Sequence, residues 1–93
     1  MSAFVIVDTK INDVTAYEEY KTLARPIAEK YGGTYRTRGG DIEVVESDLW
    51  SPTRIVIVEF PNTESAKQFV HSAEYAPVKA IRREHAQCTF IIV

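Results

Sequence analysis

The 93-residue chain alternates short, continuous apolar runs with longer stretches in which apolar residues recur at helical spacing. Ala3–Val7 (AFVIV) is β-branched or aromatic apart from its alanine and predicts a strand. Asp8, Thr9 and Lys10 then turn polar, and Asn12-Asp13 offers a helix N-cap, because a short side-chain oxygen can take an orphan backbone N–H. Val14, Tyr17, Tyr20, Ala24, Ile27, Ala28 and Tyr31 follow at helical spacing and predict an amphipathic helix over 14–31. Pro26 lies inside it, which predicts a kink near Leu23–Pro26. Gly32-Gly33 supplies the left-handed residue that ends it.

Thr34–Arg38 and Ile42–Glu46 both read as extended, with Gly39-Gly40 between them. Gly39-Gly40 fits a hairpin turn, a bulge kinking one long edge strand, or a backbone nest for an anion; the kinked strand is slightly preferred. Arg54–Phe60 (RIVIVEF) is the clearest strand, bounded by Pro52 and Pro61. Asn62 or Thr63 can cap a short helix through about Ser72, with Ala66, Phe69 and Val70 inward. Ser72–Arg83 reads as another short helix or helical turn with Pro77 near its first turn, and Cys88–Val93 as the last strand. The order β-α-β-β-α-β over 1–93, a single domain, is the α+β ferredoxin-like plan, with helices against one antiparallel sheet.

A sheet covered by helices on one face should alternate apolar and polar residues. Here both parities are apolar: Ile55 and Ile57 against Val56, Val58 and Phe60; Phe4 and Ile6 against Val5 and Val7; Phe90 and Ile92 against Ile91 and Val93. The second face needs a cover that the chain does not supply. A homodimer with sheets face to face is the expectation.

Composition narrows the function classes. Apolar content of 45% and charged content of 26% suit a soluble globular domain. A net charge of −2 without a basic patch speaks against nucleic acid, and no apolar run is long enough for a membrane helix. One cysteine, Cys88, excludes an intrachain disulfide and suits a cytoplasmic setting. His71 and His85 have no ligand-like spacing, so no metal is expected, and no nucleotide-binding or hydrolase motif implies a cofactor.

The chemistry concentrates in Arg36–Arg54 and its surroundings. Arg38 and Arg54 suit bidentate capture of a carboxylate or phosphate. Arg54 alternatively pairs with Glu46 or Glu59, and Arg36 is read as solvated. Glu59, beside so much apolar surface, would have a raised pKa unless paired with Arg54 or Arg82, which makes it a candidate general base; Glu46 has similar standing. Trp50, the only tryptophan, fits a pocket wall or a dimer interface equally. Tyr17 and Tyr20 read as core, and Tyr75, after Ser72, as the best pocket candidate among the tyrosines. The expected ligand site is therefore Arg38, Trp50, Arg54, Ser72 and Tyr75, taking a small anionic or aromatic molecule, with cofactor-independent chemistry if the protein is an enzyme. The alternative is a non-catalytic dimeric module whose arginines are tied up in ion pairs.

A set of residues spread along the whole chain resembles the DUF1330 family of small bacterial proteins. These residues are Tyr17 and Tyr20, Gly32-Gly33, Arg38-Gly39-Gly40, Glu46, Trp50-x-Pro52-x-Arg54, Val58-Glu59-Phe60-Pro61, Ala66, Ser72-x-Glu74-Tyr75 and Arg82. Ser47, Phe69-Val70 and Ala73 depart from the family's common Gly, Trp-Tyr and Pro. The resemblance implies a dimeric α/β barrel of paired ferredoxin-like folds and no particular reaction.

Overall fold

A computed structural model describes Met1–Val93. Seven elements follow one another: β1 (Ala3–Ile11), α1 (Val14–Lys30), β2 (Thr34–Arg38), β3 (Ile55–Phe60), α2 (Thr63–Val70), α3 (Tyr75–His85) and β4 (Ala86–Ile92). The four strands form one antiparallel sheet in the order β2-β3-β1-β4. This is the ferredoxin-like arrangement, with its second helical segment divided into α2 and α3.

Register decides which side chains share a face. Val7 lies between Val56 and Phe90, and Val5 between Val58 and Ile92. These rows face the helices and, with Phe60, Phe69, Tyr75, Val78 and the inner residues of α1, make one core. Phe69 stacks on Phe60 at 5.5 Å between ring centroids and leans on Tyr75 at 4.6 Å. The opposite parity forms the open face, where Ile6 sits between Ile57 and Ile91. Nothing in the chain covers that row, and Ile91 is exposed.

The helices begin as local chemistry dictates. The Asp13 carboxylate accepts from the Ala16 N–H, and the Asn62 side chain from the Ser65 N–H. α1 runs through Pro26 as one continuous element. Beyond Tyr31 the chain turns at Gly32 with φ +93°, and Gly33 passes so close to Val58 and Phe60 that a Cβ would meet both at 3.0 Å.

Three expectations need correction. β1 continues past Val7 to Ile11, burying Asp8 and Thr9. Ile42–Glu46 is not a strand: after Gly39, at φ +75°, the chain leaves the sheet and returns only at Ile55. The irregularity in β2 lies earlier than Gly39-Gly40, between Tyr35 and Thr37, where the register to β3 slips by one residue. A one-residue slip reverses the facing of everything beyond it. Arg36 and Arg38, which a regular strand would point the same way, therefore diverge: Arg38 sits opposite Val56 on the helix side, while Arg36 reaches Glu59 on the open face.

Candidate ligand-binding cleft

The bulge in β2 and the first residues of β3 open a cleft of about 50 Å³ between the sheet and α1, with Tyr75 of α3 at its inner side. Its walls are mostly apolar, from Val5, Val7, Val56 and Phe90 on the sheet and Ala24 on α1. The residues with polar groups that line it are Lys21, Arg38, Arg54, Tyr17, Tyr20, Tyr35 and Tyr75. No carboxylate and no imidazole lines it.

The two arginines are held by packing and backbone rather than by acids. Arg54 lies over the Tyr17 ring at 5.7 Å and donates from a terminal guanidinium nitrogen to the Arg38 carbonyl at 3.3 Å. Arg38 lies over the Tyr35 ring at 5.2 Å. Neither is within ion-pair distance of Glu46, Glu59 or any other carboxylate, whereas Lys21 is paired with Glu18 at 2.9 Å. Gly39 allows this close approach, since a Cβ there would fall 2.5 Å from the Arg54 Nε.

Asp8 is the group that the sequence reading passed over. Its carboxylate accepts from the Thr53 and Arg54 N–H groups at 2.9 and 3.0 Å, from the Thr53 hydroxyl at 3.0 Å and from the Trp50 indole at 2.8 Å. Burial pushes this carboxyl up, but the four hydrogen bonds outweigh it and hold the pKa below the ordinary value. The returning segment Trp50–Arg54 is thereby pinned to β1, and Arg54 is set at the cleft mouth. The available signal was parity: Asp8 continues the Phe4, Ile6 face, where a lone carboxylate requires partners.

Of the expected site residues, Arg38, Arg54 and Tyr75 meet at the cleft. Trp50 and Ser72 do not line it. Trp50 is committed to Asp8 and shares a shallow recess with Glu46. The Ser72 hydroxyl donates to the Phe69 carbonyl and accepts from the Tyr75 N–H, joining α2 to α3. Glu59 lies on the open face, accepting from Ser2 and from the Arg36 Nε at 2.9 Å. These bonds hold its pKa below the carboxylate norm, and its partner is neither Arg54 nor Arg82. Arg82 is the second overlooked group: it is 5% exposed, lies over the Phe90 ring at 4.9 Å and has an Nε without a partner. No three His, Cys, Asp or Glu side chains gather as a metal site, and no helix is long and apolar enough to cross a membrane.

The family model for DUF1330, a domain of unknown function, matches residues 2–93. The chain belongs to the DUF1330 family. Among solved structures, this DUF1330 chain is similar to a protein of unknown function from Rhodopseudomonas palustris, with 14% identity and a TM-score of 0.75 over 99% of this chain and 80% of that one. It is also similar to an ethyl tert-butyl ether D (EthD) family protein from Bacillus halodurans C-125, with 17% identity and a TM-score of 0.57 over 100% and 96% of the two chains. A third neighbour, from Bacteroides fragilis NCTC 9343, is described as a dimeric protein of unknown function with a ferredoxin-like fold; it shows 16% identity and a TM-score of 0.51 over 99% and 94%. At these identities the likeness establishes the fold. No curated protein matches the chain.

Proposed function

We propose that each subunit binds a small organic anion with an apolar or aromatic body in the cleft between the sheet and α1. The observation that carries this reading is the imbalance of charge: Arg38 and Arg54 face an apolar cavity and no carboxylate neutralises them. Guanidinium groups so placed favour a carboxylate, and the valine and aromatic walls favour the rest of such a molecule. Against the alternative, a non-catalytic module with Arg38 and Arg54 tied up in ion pairs, speaks the lack of a carboxylate within ion-pair distance of either.

The cleft supplies cations and neutral donors but no proton acceptor of the usual kinds. Burial raises the pKa of the Tyr17 and Tyr35 hydroxyls, which keeps both protonated at neutral pH. Any reaction here would act by polarising a bound substrate, with Glu46 and Glu59 outside it. The uncovered row Ile57–Ile6–Ile91 supports a homodimer joined through the open faces, as does the dimeric neighbour.

The test is thermal stabilisation by benzoate and hexanoate against benzamide and hexanol. The acids should raise the melting temperature and the neutral analogues should not, and Arg54→Ala should remove the effect. Equal shifts for acid and neutral analogue, or none for any acid, would overturn the proposal.

A further inference from the structure

The charges around the cleft do not balance, and the excess sits at one end. Of the lining residues, Lys21, Arg38 and Arg54 are the cations, and none is an acid. Lys21, on α1, is matched by Glu18 at 2.9 Å, and the next base on that helix, Arg25, by Glu29 at 3.6 Å. These two pairs cancel within α1. The strand side brings Arg38 and Arg54, and neither has a carboxylate within ion-pair distance. The cleft is thus short of two negative charges rather than one.

The two arginines are neighbours. Arg38 stands opposite Val56 in the β2–β3 ladder, and Val56 is two residues beyond Arg54. Arg54 donates to the Arg38 carbonyl at 3.3 Å. Each guanidinium carries more donors than that single bond uses. Burial sorts the cleft by depth. Arg38 is exposed and Arg54 half-buried, whereas Val5, Val58, Phe69 and Tyr75 are buried. Among the buried lining residues, the hydroxyl oxygens of Tyr20 and Tyr75 are 2.7 Å apart and bond to each other. Charge is therefore confined to the mouth, and the floor is made of rings and valines.

Resting on the anion-binding reading above, we infer that the ligand is a dianion with both charges at one end, an apolar body that carries a phosphate-monoester or geminal dicarboxylate head. A monoanion pairs with one guanidinium and leaves the other without a counter-charge. A doubly charged head answers both, and its several oxygens suit the planar forks of two arginines. Arg54 holds the head where β3 begins, and Arg38, at the end of β2, sets the preference for the second charge. A ligand with its charges at opposite ends would instead place one among Val5, Val58 and Phe69, where desolvation is costly.

Calorimetric titration with hexyl phosphate, butylmalonate, hexanoate and adipate at one ionic strength tests this. At about pH 7.5 at least one of the first two should bind about tenfold more tightly than hexanoate; the gain is held to that size because Arg38 is exposed and its charge screened. Preference for hexyl phosphate alone would assign the head to phosphate, and for butylmalonate alone to a dicarboxylate. Adipate, with a charge at each end, should gain nothing over hexanoate. The affinity of hexyl phosphate should rise about threefold between about pH 5.5 and pH 8 as its second proton leaves, while that of hexanoate, already ionised there, should not follow. Arg38→Gln, at an exposed position, should keep the wild-type melting temperature and erase the ratio between dianion and monoanion. Hexanoate that binds as tightly as both dianions, adipate that matches them, or a ratio that survives Arg38→Gln would overturn the dianion and leave the anion site standing. If none of the four binds, both readings fall.

Discussion

On the helix-covered face of the sheet, Arg38, Arg54 and Arg82 meet no carboxylate; on the open face, Asp8 and Glu59 accept every donor within reach. Two layers of one small domain thus treat charge in opposite ways. The acids are spent on architecture, Asp8 by pinning the returning loop and Glu59 by tying β3 to Arg36 and Ser2. Of the cations on the covered face, Arg38 and Arg54 line the cavity without an ion pair. On the proposed reading, the paired acids serve the fold and the arginines without an ion pair serve the ligand.

The largest effect in this comparison should come from Asp8→Ala. It strands the Thr53 and Arg54 N–H groups and the Trp50 indole, so the loss should be about 3 kcal/mol by urea denaturation. The tryptophan emission should shift to the red as the indole loses its partner. Because the same carboxylate sets the Arg54 backbone, hexanoate affinity should fall as well. The pH dependence has a definite sign. The folded-state pKa of Asp8 is depressed, so its contribution is fully present above about pH 4, the unfolded value, and is lost as pH falls through the lower folded one. Wild-type protein should lose stability there, and Asp8→Ala should show a flatter acid limb. Parallel acid limbs would remove Asp8 from this role.

The contrast also explains what the sequence could and could not disclose. Strands, helix starts and the apolar second face follow from local periodicity and capping chemistry, so Ala3–Val7, Asp13, Asn62 and RIVIVEF were legible. Ile42–Glu46 misled because strand-like composition becomes a strand only when it pairs, and this segment pairs with no strand of the sheet. Arg38 and Arg54 were legible as unusual cations. The bulge that turns Arg38 away from Arg36 was not, since it depends on pairing with β3. Asp8 and Arg82 were missed for the same reason. The partners of Asp8 lie 42 to 46 residues away, and the ring beneath Arg82 belongs to β4.

A second prediction breaks the open face alone. Ile91 is 40% exposed in the single chain, so Ile91→Glu should not disturb its fold. It would bury a charge within a face-to-face dimer, in the row it shares with Ile6 and Ile57. Light scattering should change from a dimer to a 10.5 kDa species, and the concentration dependence of the melting temperature should disappear. Ligand binding through Arg54 should survive, because the cleft opens on the other side of the sheet. An unchanged mass would show that these faces do not meet in solution.

The smallest effect should come from Glu59→Gln, and that smallness separates the two faces most sharply. By sequence, Glu59 is one candidate general base, a carboxylate beside much apolar surface whose pKa would be raised unless it is paired. Its bonds to Ser2 and Arg36 lower its pKa instead of raising it, which leaves it a weak base at neutral pH. Its side chain also points away from the cleft, on the open face with Arg36. The glutamine keeps an acceptor for both neighbours, so melting temperature and carboxylate affinity should stay at the wild-type values. Should a turnover assay be found for this cleft, Glu59→Gln should retain the wild-type rate while Arg54→Ala loses it. A loss of more than about tenfold in Glu59→Gln would return the chemistry to the open face and reverse the division of labour between acids and cations.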